Sequence, residues 1–281
     1  MSKKTKIWLI VATAFLLIGG ILFTGVMTAL DWDFKKLSTN KMVTNAHTIE
    51  ETYRNISIRA ITADITFVPT DGTQTTVTCR EEEKLHHTVE VKDGTLVIDT
   101  LDERKWYHHI GFHFETPKIT VSIPRGEYGA LTVKNTTGDI RLPRELTFAS
   151  ADISVTTGDI FMRASVTGAI TCNTTTGDVK LNGVRCESLT ATGTTGDLEM
   201  EDVIATGKIY IKYTTGDVEF ENCDGGELEI KVTTGDVEGT LLTPKTFEVK
   251  ATTGHVRVPQ SQSGGLCKIK TTTGDIKIRT R

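Results

Sequence analysis

The stretch ADISVTTGDI, residues 151–160, holds the motif that decides the fold, because its last five residues recur to the end of the chain. The Gly of this Thr-Thr-Gly-Asp corner stands at positions 138, 158, 177, 196, 216, 235, 254 and 274, so successive copies lie 19 or 20 residues apart. Seven of the eight copies place Asp after the Gly, and the remaining copy places His255 there. A fixed period of this length is typical of proteins whose repeats stack on one another.

Within each copy, apolar and polar residues alternate on both sides of the Gly. Around Gly158, Ala151 and Ile153 precede the corner, and Ile160 and Met162 follow it. Alternation with period two indicates a strand before the corner and a second strand after it. Because 19–20 residues are too few for two strands and a crossover helix, we predict an all-β fold. Its architecture is a parallel β-solenoid, or β-helix, with one repeat per coil and coils about 4.8 Å apart.

The same phase extends towards the N-terminus in a weaker form. Placing Ala63 or Gly94 in the Gly position puts apolar residues on the inward phase on both sides. We therefore predict one solenoid domain over 48–281, with irregular rungs over 48–125 and regular rungs over 126–281. A short basic tail (1–6), a transmembrane anchor (7–30) and a polar linker (31–47) precede it.

The segment 7–30 contains no charged residue and is long enough to cross a hydrocarbon core of about 30 Å. A cleaved signal peptide is the alternative, but the apolar run exceeds the usual length of a signal-peptide core. Positive charges on the two sides nearly balance, with Lys3, Lys4 and Lys6 before the span and Lys35 and Lys36 soon after it. We expect a single-pass protein of the cell membrane with its body outside the cytoplasm.

Composition and motifs argue against two classes of function. The formal net charge of −4 over 281 residues gives no electrostatic reason to expect a nucleic-acid partner. The outward positions of the repeats carry Thr, Lys, Glu and Asp in columns, without a cluster of unlike catalytic groups. We therefore assign no catalytic residue and no metal site, and we expect no enzymatic activity.

The corner residues form the most regular polar feature of the sequence. Stacking would place the carboxylates about 5 Å apart, where they repel unless they accept hydrogen bonds or bind cations. We favour hydrogen bonding within the turns, so that no cofactor is needed, and weak Ca²⁺ binding by the Asp residues is the alternative. The corner positions are Gly138, Asp139, Gly158, Asp159, Gly177, Asp178, Gly196, Asp197, Gly216, Asp217, Gly235, Asp236, Gly254, His255, Gly274 and Asp275.

One irregular stretch interrupts the repeats between Leu101 and Lys118. Three interpretations stay open: a flap over the N-terminal end of the core, a contact with lipid or a partner, and a transition-metal site formed by the histidines. This candidate binding loop contains Trp106, Tyr107, His108, His109, Phe112 and His113.

Two further expectations concern the end of the chain and the cysteines. If rungs stack in chain order, Lys277, Arg279 and Arg281 lie on the exposed C-terminal edge, as charged edge protection or as a docking edge.

The five cysteines, at 79, 172, 186, 223 and 267, lie too far apart in the predicted stack to pair. We expect buried free thiols.

An apolar segment followed by Thr-Thr-Gly-Asp rungs resembles the bacterial toastrack family, β-strand-repeat domains often labelled "putative adhesins". The resemblance covers about residues 48–281 and rests on the eight corners, the strand KITVSIP at 118–124 and the Trp-containing loop before it. It implies a cell-envelope role and supplies no catalytic residues. Relatives accompany membrane-stress systems such as the Lia type, which implies a ligand-sensing domain or an assembly platform.

These observations predict a non-catalytic interaction or sensing scaffold in envelope maintenance or stress response. Its expected partners are its own membrane, envelope-stress membrane proteins, and wall polymers or glycans. A surface adhesin that binds glycans or other cells is the alternative, and a carbohydrate-active β-helix enzyme is a third class that the regular outward columns argue against.

Overall fold

The computed structural model describes residues 2–33, 41–102, 115–260 and 263–281. The N-terminal segment forms one helix, α1 (Lys3–Ala29), whose first turn is capped by the Ser2 hydroxyl accepting from the Thr5 amide. This helix has the length and apolar composition to cross a membrane, a property that it shares with signal sequences. The chain divides into two compact units, one formed by 1–41 with 104–115 and the other by 42–103 with 116–281.

The second unit is built from strands alone. In chain order they are β1 (Met42–Ile49), β2 (Asn55–Thr62), β3 (Asp64–Thr70), β4 (Thr75–Glu82), β5 (Leu85–Lys92), β6 (Thr95–Asp102), β7 (Lys118–Pro124), β8 (Gly126–Thr137), β9 (Ile140–Leu142), β10 (Leu146–Thr157), β11 (Ile160–Met162), β12 (Ser165–Val166), β13 (Ala169–Thr176), β14 (Val179–Asn182), β15 (Arg185–Cys186), β16 (Ser188–Thr195), β17 (Leu198–Glu201), β18 (Ile204–Thr215), β19 (Val218–Thr234), β20 (Val237–Leu241), β21 (Thr246–Thr253), β22 (Val256–Arg257), β23 (Leu266–Thr273) and β24 (Ile276–Thr280).

Two sheet faces meet at the Gly-Asp corners, as the repeat predicts. The pre-corner face contains, in parallel order, β6, β2, β8, β10, β13, β16, β18, β19, β23 and β21. The post-corner face contains, also in parallel order, β7, β3, β9, β11, β14, β17, β19, β20, β24 and β22. Short strands such as β12 and β15 add a third side that the sequence interpretation did not include. The parallel β-solenoid is confirmed.

The core lies between the two faces and is filled by the predicted inward residues. In the rung around Gly196, Leu189, Ala191, Leu198 and Met200 are all buried. Equivalent residues of neighbouring rungs are paired in register, so like side chains pack on like along the stack. Burial of this continuous column of apolar side chains is the main stabilising contribution to the solenoid.

The N-terminal end departs from the prediction of irregular rungs. Ala63 does occupy the corner position of a rung, because β2 and β3 pair in parallel with β8 and β9 on its two sides. Gly94 does not: with Asp93 it forms the tight turn of the antiparallel hairpin β5–β6, where both residues have positive φ. Strand β4 also pairs antiparallel with both β1 and β7. The predicted linker is too long, since residues 42–47 belong to β1.

The C-terminal end contains a change in rung order. Strands β23 and β24 of the last repeat pair with β19 and β20, and the preceding repeat, β21 and β22, stacks outside them. The expectation that the final repeat forms the exposed edge is therefore wrong. Lys277 and Arg279 lie on a strand paired on both sides, and the terminal coil is formed by residues 246–257.

Candidate functional site

The corner Asp residues form a hydrogen-bond ladder along the stack. Each Asp side chain accepts, through Oδ1, the backbone N–H of the corresponding residue in the next rung, at 2.7–3.1 Å. We call this set the Asp ladder, and in spatial order it contains Asp64, Asp139, Asp159, Asp178, Asp197, Asp217, Asp236, Asp275 and finally His255. The arrangement satisfies one backbone N–H donor at each corner from Asp139 to His255.

The corner Gly residues are required by the same stacking. Gly216 has a φ of +135°, and a Cβ added there would overlap the backbone carbonyl oxygen of Gly196 in the rung before it. Every Gly of the motif faces its predecessor in this way. The two recurring residues thus face opposite directions, because the Gly position contacts the preceding rung and the Asp carboxylate reaches the following rung.

The exceptions to the motif lie at the two ends of the ladder. Ala63 occupies the first corner, where it does not have a positive φ, and no Gly-Asp corner precedes it among the described residues. His255 occupies the last corner, where its N–H donates to Asp275 Oδ1 at 2.7 Å and no further rung requires an acceptor. This hydrogen bond, together with the nearby imidazole, lowers the pKa of Asp275. Position in the stack therefore explains both departures.

The outward column four residues before each corner contains the best candidate for a binding site. Ser154, Asn173 and Thr192 lie side by side on β10, β13 and β16, in register. Lys134 precedes them on β8 and Lys212 follows them on β18. Because three short side chains lie between long cationic ones, the face is hollowed into a groove, here the polar groove, of about 790 Å³.

The polar groove is lined by hydroxyl and amide groups together with the apolar residues Ala60, Ile61 and Val155. Thr192 Oγ1 donates to Asn173 Oδ1 at 2.6 Å, and Asn173 Nδ2 donates to Ser154 Oγ at 3.3 Å. At the N-terminal end, Arg59 pairs with Asp99 at 3.2 Å. Asp99 is the one carboxylate among the described lining residues. The groove therefore offers donors and acceptors for binding, without the pair of carboxylates that glycoside hydrolysis requires.

The post-corner face carries an acidic column of Glu199, Glu219 and Glu238, paired in register. Glu199 pairs with Lys180 at 2.6 Å and Glu238 pairs with Lys277 at 3.0 Å, each across one step of the stack. All four side chains are substantially exposed, so each pair contributes less than about 1 kcal/mol. This face is a solvated surface, and its depression of about 520 Å³ beside Glu199, Glu219 and Glu238 is smaller than the polar groove.

The other predicted site residues give two outcomes. All five cysteines are free and buried, as expected. Burial raises the pKa of Cys172 and Cys267 to about 12, so these thiols are protonated and unreactive at neutral pH. The candidate binding loop with Trp106, Tyr107, His108, His109, Phe112 and His113 lies outside the described residues.

The polar groove was not predicted from the sequence. We expected the outward columns to be uniform. Alignment of the repeats on their Gly residues shows instead that one column changes along the stack, from Lys134 through Ser154, Asn173 and Thr192 to Lys212. The depression itself arises from packing in register and has no signature within any single repeat.

The repeat, its corners and the solenoid agree with a comparison against protein families. The profile of the family described as Toastrack DUF4097 matches residues 53–281. The chain belongs to the Toastrack family. Curated proteins provide no match to this Toastrack chain.

Solved structures share the Toastrack fold. A "putative adhesin" from Bacteroides fragilis is 15% identical over 86% of this chain and 99% of its own, with a TM-score of 0.57. A "putative adhesin" from Parabacteroides merdae (12% identical, 86% and 98% covered) and a "putative lipid binding protein" from Parabacteroides distasonis (14%, 84% and 97%) have TM-scores of 0.47 and 0.39. At these identities the likeness concerns the fold alone.

Proposed function

We propose that this Toastrack chain is a non-catalytic, membrane-anchored scaffold that binds a polymer of the cell envelope through the polar groove. The observation that carries the proposal is the groove column of Ser154, Asn173 and Thr192, held in register on three adjacent strands. Strands on both sides fix their positions, so the site is ordered before a ligand binds.

The chemistry of the groove indicates the class of ligand. Hydroxyl and amide groups recur from rung to rung, about 4.8 Å apart, and suit a chain with regularly spaced hydroxyl or amide groups. The cationic column continues beyond Lys212 with Lys231 on the next strand, where acidic substituents of a polymer would be attracted. Glycan strands and wall polymers have both properties.

The helix α1 supplies the other half of the proposal. Retained as an anchor, it tethers the solenoid to the membrane, and the envelope polymer then lies within reach of an extracytoplasmic body. Protease treatment of intact cells with a permeabilised wall tests this topology. Digestion of the body supports the proposal, and complete protection contradicts it.

The binding test fills the groove without changing the fold. Thr192→Tyr places a large side chain in the groove, and Thr190→Tyr places the same side chain two residues away on β16, outside the groove lining. The full chain in detergent is incubated with isolated wall polymer and sedimented. Thr192→Tyr is expected to reduce binding at least tenfold while Thr190→Tyr binds like the wild type. Equal binding by all three proteins would contradict the proposal.

Cells distinguish this role from that of an adhesin. A scaffold in envelope maintenance predicts that Thr192→Tyr alters resistance to membrane-active agents and leaves attachment to other cells unchanged. The adhesin alternative predicts the reverse pattern.

A further inference from the structure

A buried cluster at the N-terminal end of the solenoid contains three metal-ligating side chains. Cys79 and Glu81 lie on the same face of β4, and His87 follows on β5 after the intervening turn. Cys79 and Glu81 are completely buried and His87 is 4% exposed. One ligand atom from each of the three lies within 4.8 Å of the others.

The hydrogen bonds of the cluster satisfy Glu81 and one ring nitrogen of His87 but leave the other ring nitrogen without a partner among the described residues. Glu81 Oε2 accepts from the His87 backbone N–H and contacts His87 Nδ1, both at 2.7 Å, while Oε1 accepts from Asn45 Nδ2 at 2.7 Å. Among the described residues, His87 Nε2 has no hydrogen-bond partner although it is buried. An unpaired buried ring nitrogen of this kind is costly.

The three side chains supply ligand types that suit a transition metal. A metal bound by all three would take the place of the hydrogen bond between Glu81 and His87 Nδ1, because a carboxylate that holds Nδ1 cannot also ligate a metal at Nε2. We propose that Cys79, Glu81 and His87 form a binding site for a divalent transition metal, with Zn²⁺ as the best match. Thiolate, imidazole and carboxylate are all ordinary Zn²⁺ ligands, and water supplies the remaining position.

Charge balance supports the choice of a divalent ion. Binding displaces the Cys79 thiol proton to solvent, so one thiolate and one carboxylate neutralise the two charges of the ion, and the imidazole stays neutral. No oxidation or reduction is involved. In the absence of metal, burial and the nearby Glu81 raise the pKa of Cys79 to about 12, so the site holds a neutral thiol. Metal binding thus replaces that proton.

The proposal goes beyond the polymer-binding role, because the cluster lies apart from the polar groove lining. A metal here would join β4 to β5, the link between the two sheet faces at the end of the stack. The expected contribution is therefore to the stability of the N-terminal end.

Cobalt spectroscopy tests the site. The full chain in detergent, unfolded with chelator and refolded with one equivalent of Co²⁺, is expected to show a near-ultraviolet thiolate-to-cobalt absorption band. Cys79→Ser should abolish the band, and Cys267→Ser, another completely buried cysteine, should retain it. Zn²⁺ is expected to raise the melting temperature of the wild type and of Cys267→Ser, but not of Cys79→Ser.

Two further measurements keep the test decisive. His87→Gln is expected to weaken Co²⁺ binding at least tenfold, and circular dichroism verifies that each variant is folded. If Cys79→Ser does not fold, the band of the wild type and its loss in His87→Gln decide the matter. Absence of the band and of a Zn²⁺-dependent melting shift in the refolded wild type would overturn the proposal, as would a wild-type response from Cys79→Ser or His87→Gln.

The terminal coil carries a second, independent inference. Strand β21 pairs with β23 on one side, and no described strand pairs with its other side. Its core residues Phe247 and Val249 are only half-buried, and Val256 on β22 is 44% exposed. An edge of this kind is a template for a further strand.

The sequence of β21 is complementary to itself in the antiparallel direction. With Val249 opposite its own copy, Glu248 faces Lys250 of the second chain twice, once on each side of the two-fold axis. On the inward face the same register places Phe247 opposite Ala251, so the two apolar cores become continuous. We infer that β21 pairs with β21 of a second copy to form a symmetric dimer.

Charge exchange tests this pairing. Lys250→Glu is expected to weaken dimerisation of the full chain in detergent about tenfold, since two like-charged pairs replace two complementary ones. The double variant Glu248→Lys, Lys250→Glu restores complementarity and should restore the dimer. Val249→Cys, at the symmetry axis, should give a disulfide-linked dimer. A monomeric wild type at all concentrations, or a double variant as weak as Lys250→Glu, would overturn the inference.

Discussion

The two ends of the Asp ladder differ in which motif residue they omit. At the first corner, Ala63 replaces Gly and Asp64 is retained; at the last corner, Gly254 is retained and His255 replaces Asp. The difference follows from direction, because the Gly position contacts the rung before it and the Asp carboxylate reaches the rung after it. Each motif residue is thus found where a described Gly-Asp corner lies on its own side.

The two ends of the solenoid also differ in whether additional strands cover their sheet edges. At the N-terminal end, the antiparallel strands β1, β4 and β5 continue the two faces and enclose the Cys79, Glu81 and His87 cluster. At the C-terminal end, the chain reverses the order of its last two repeats and leaves β21 as a charged edge. One end is closed by additional strands, and the other retains a surface suited to pairing.

The largest effect is expected from exchanging Gly and Ala between an interior corner and the first corner. Gly216→Ala places a Cβ against the Gly196 carbonyl at a strained φ and should cost at least about 3 kcal/mol of stability. Ala63→Gly should cost about 1–2 kcal/mol, from backbone entropy and the loss of a buried methyl group. Chemical denaturation measures both, and equal costs would contradict the directional account.

A smaller difference in stability is expected between replacing an interior ladder Asp and replacing the terminal His255. Asp217→Ala removes the acceptor of the Asp236 N–H, now bonded at 2.7 Å, and should cost about 1–2 kcal/mol. His255→Ala leaves every ladder acceptor in place and should change stability by less than about 0.5 kcal/mol. Thermal melting compares the two variants. A His255→Ala loss as large as that of Asp217→Ala would show that the final corner is not an end.

The interior rungs should also show a pH dependence through Glu229. Hydrogen bonds from Lys208 and Lys231 lower the pKa of Glu229 from 4.5 to about 2. A lowered folded-state pKa means that the pair stabilises the fold above about pH 4.5, and that this contribution is lost as the pH falls towards 2. Glu229→Gln should remove this part of the acid dependence, an effect of about 1 kcal/mol or less, because both lysines are exposed and solvent screens their interaction with the half-buried Glu229. Denaturation between pH 6 and 2.5 measures it, with Glu219→Gln as the control on the other face of β19.

The smallest effect is expected from calcium. Because Oδ1 of each ladder Asp already accepts a backbone N–H, millimolar Ca²⁺ should shift the melting temperature by less than about 1 °C. A large, saturable shift that disappears in Asp197→Asn would instead establish the Asp ladder as a calcium site.

Much of the fold could be predicted from the sequence because every rung repeats the same pattern of inward apolar residues around a corner. Alternation around each Gly predicted the inward residues, and the period predicted parallel stacking. The order of the last two repeats was not predicted, although their corners differ, since the corner with His255 lacks the carboxylate that a following rung would need. The choice depends on tertiary packing between whole repeats.

The candidate sites were harder to predict, because they depend on residues of neighbouring strands and not on one repeat. The polar groove results from residue size compared between strands, as at Asn173 between Ser154 and Thr192. The Cys79, Glu81 and His87 cluster had a local signal, two inward residues on one strand and a histidine after a turn. The solenoid interpretation of residues 48–125 obscured it, because Gly94 was taken as a corner when it is a hairpin turn.

Disulfide formation between engineered cysteines tests the rung order, on which the account of the two ends depends. Lys231 is paired with Lys270, and Lys250 is paired with the other side of Lys270, so Lys231 and Lys250 lie two strands apart, about 9.6 Å. Mild oxidation of Lys231→Cys, Lys270→Cys is expected to give an intramolecular disulfide, and Lys231→Cys, Lys250→Cys is not. The opposite result, a bond between 231 and 250 and none between 231 and 270, would show that the repeats stack in chain order and would contradict the account.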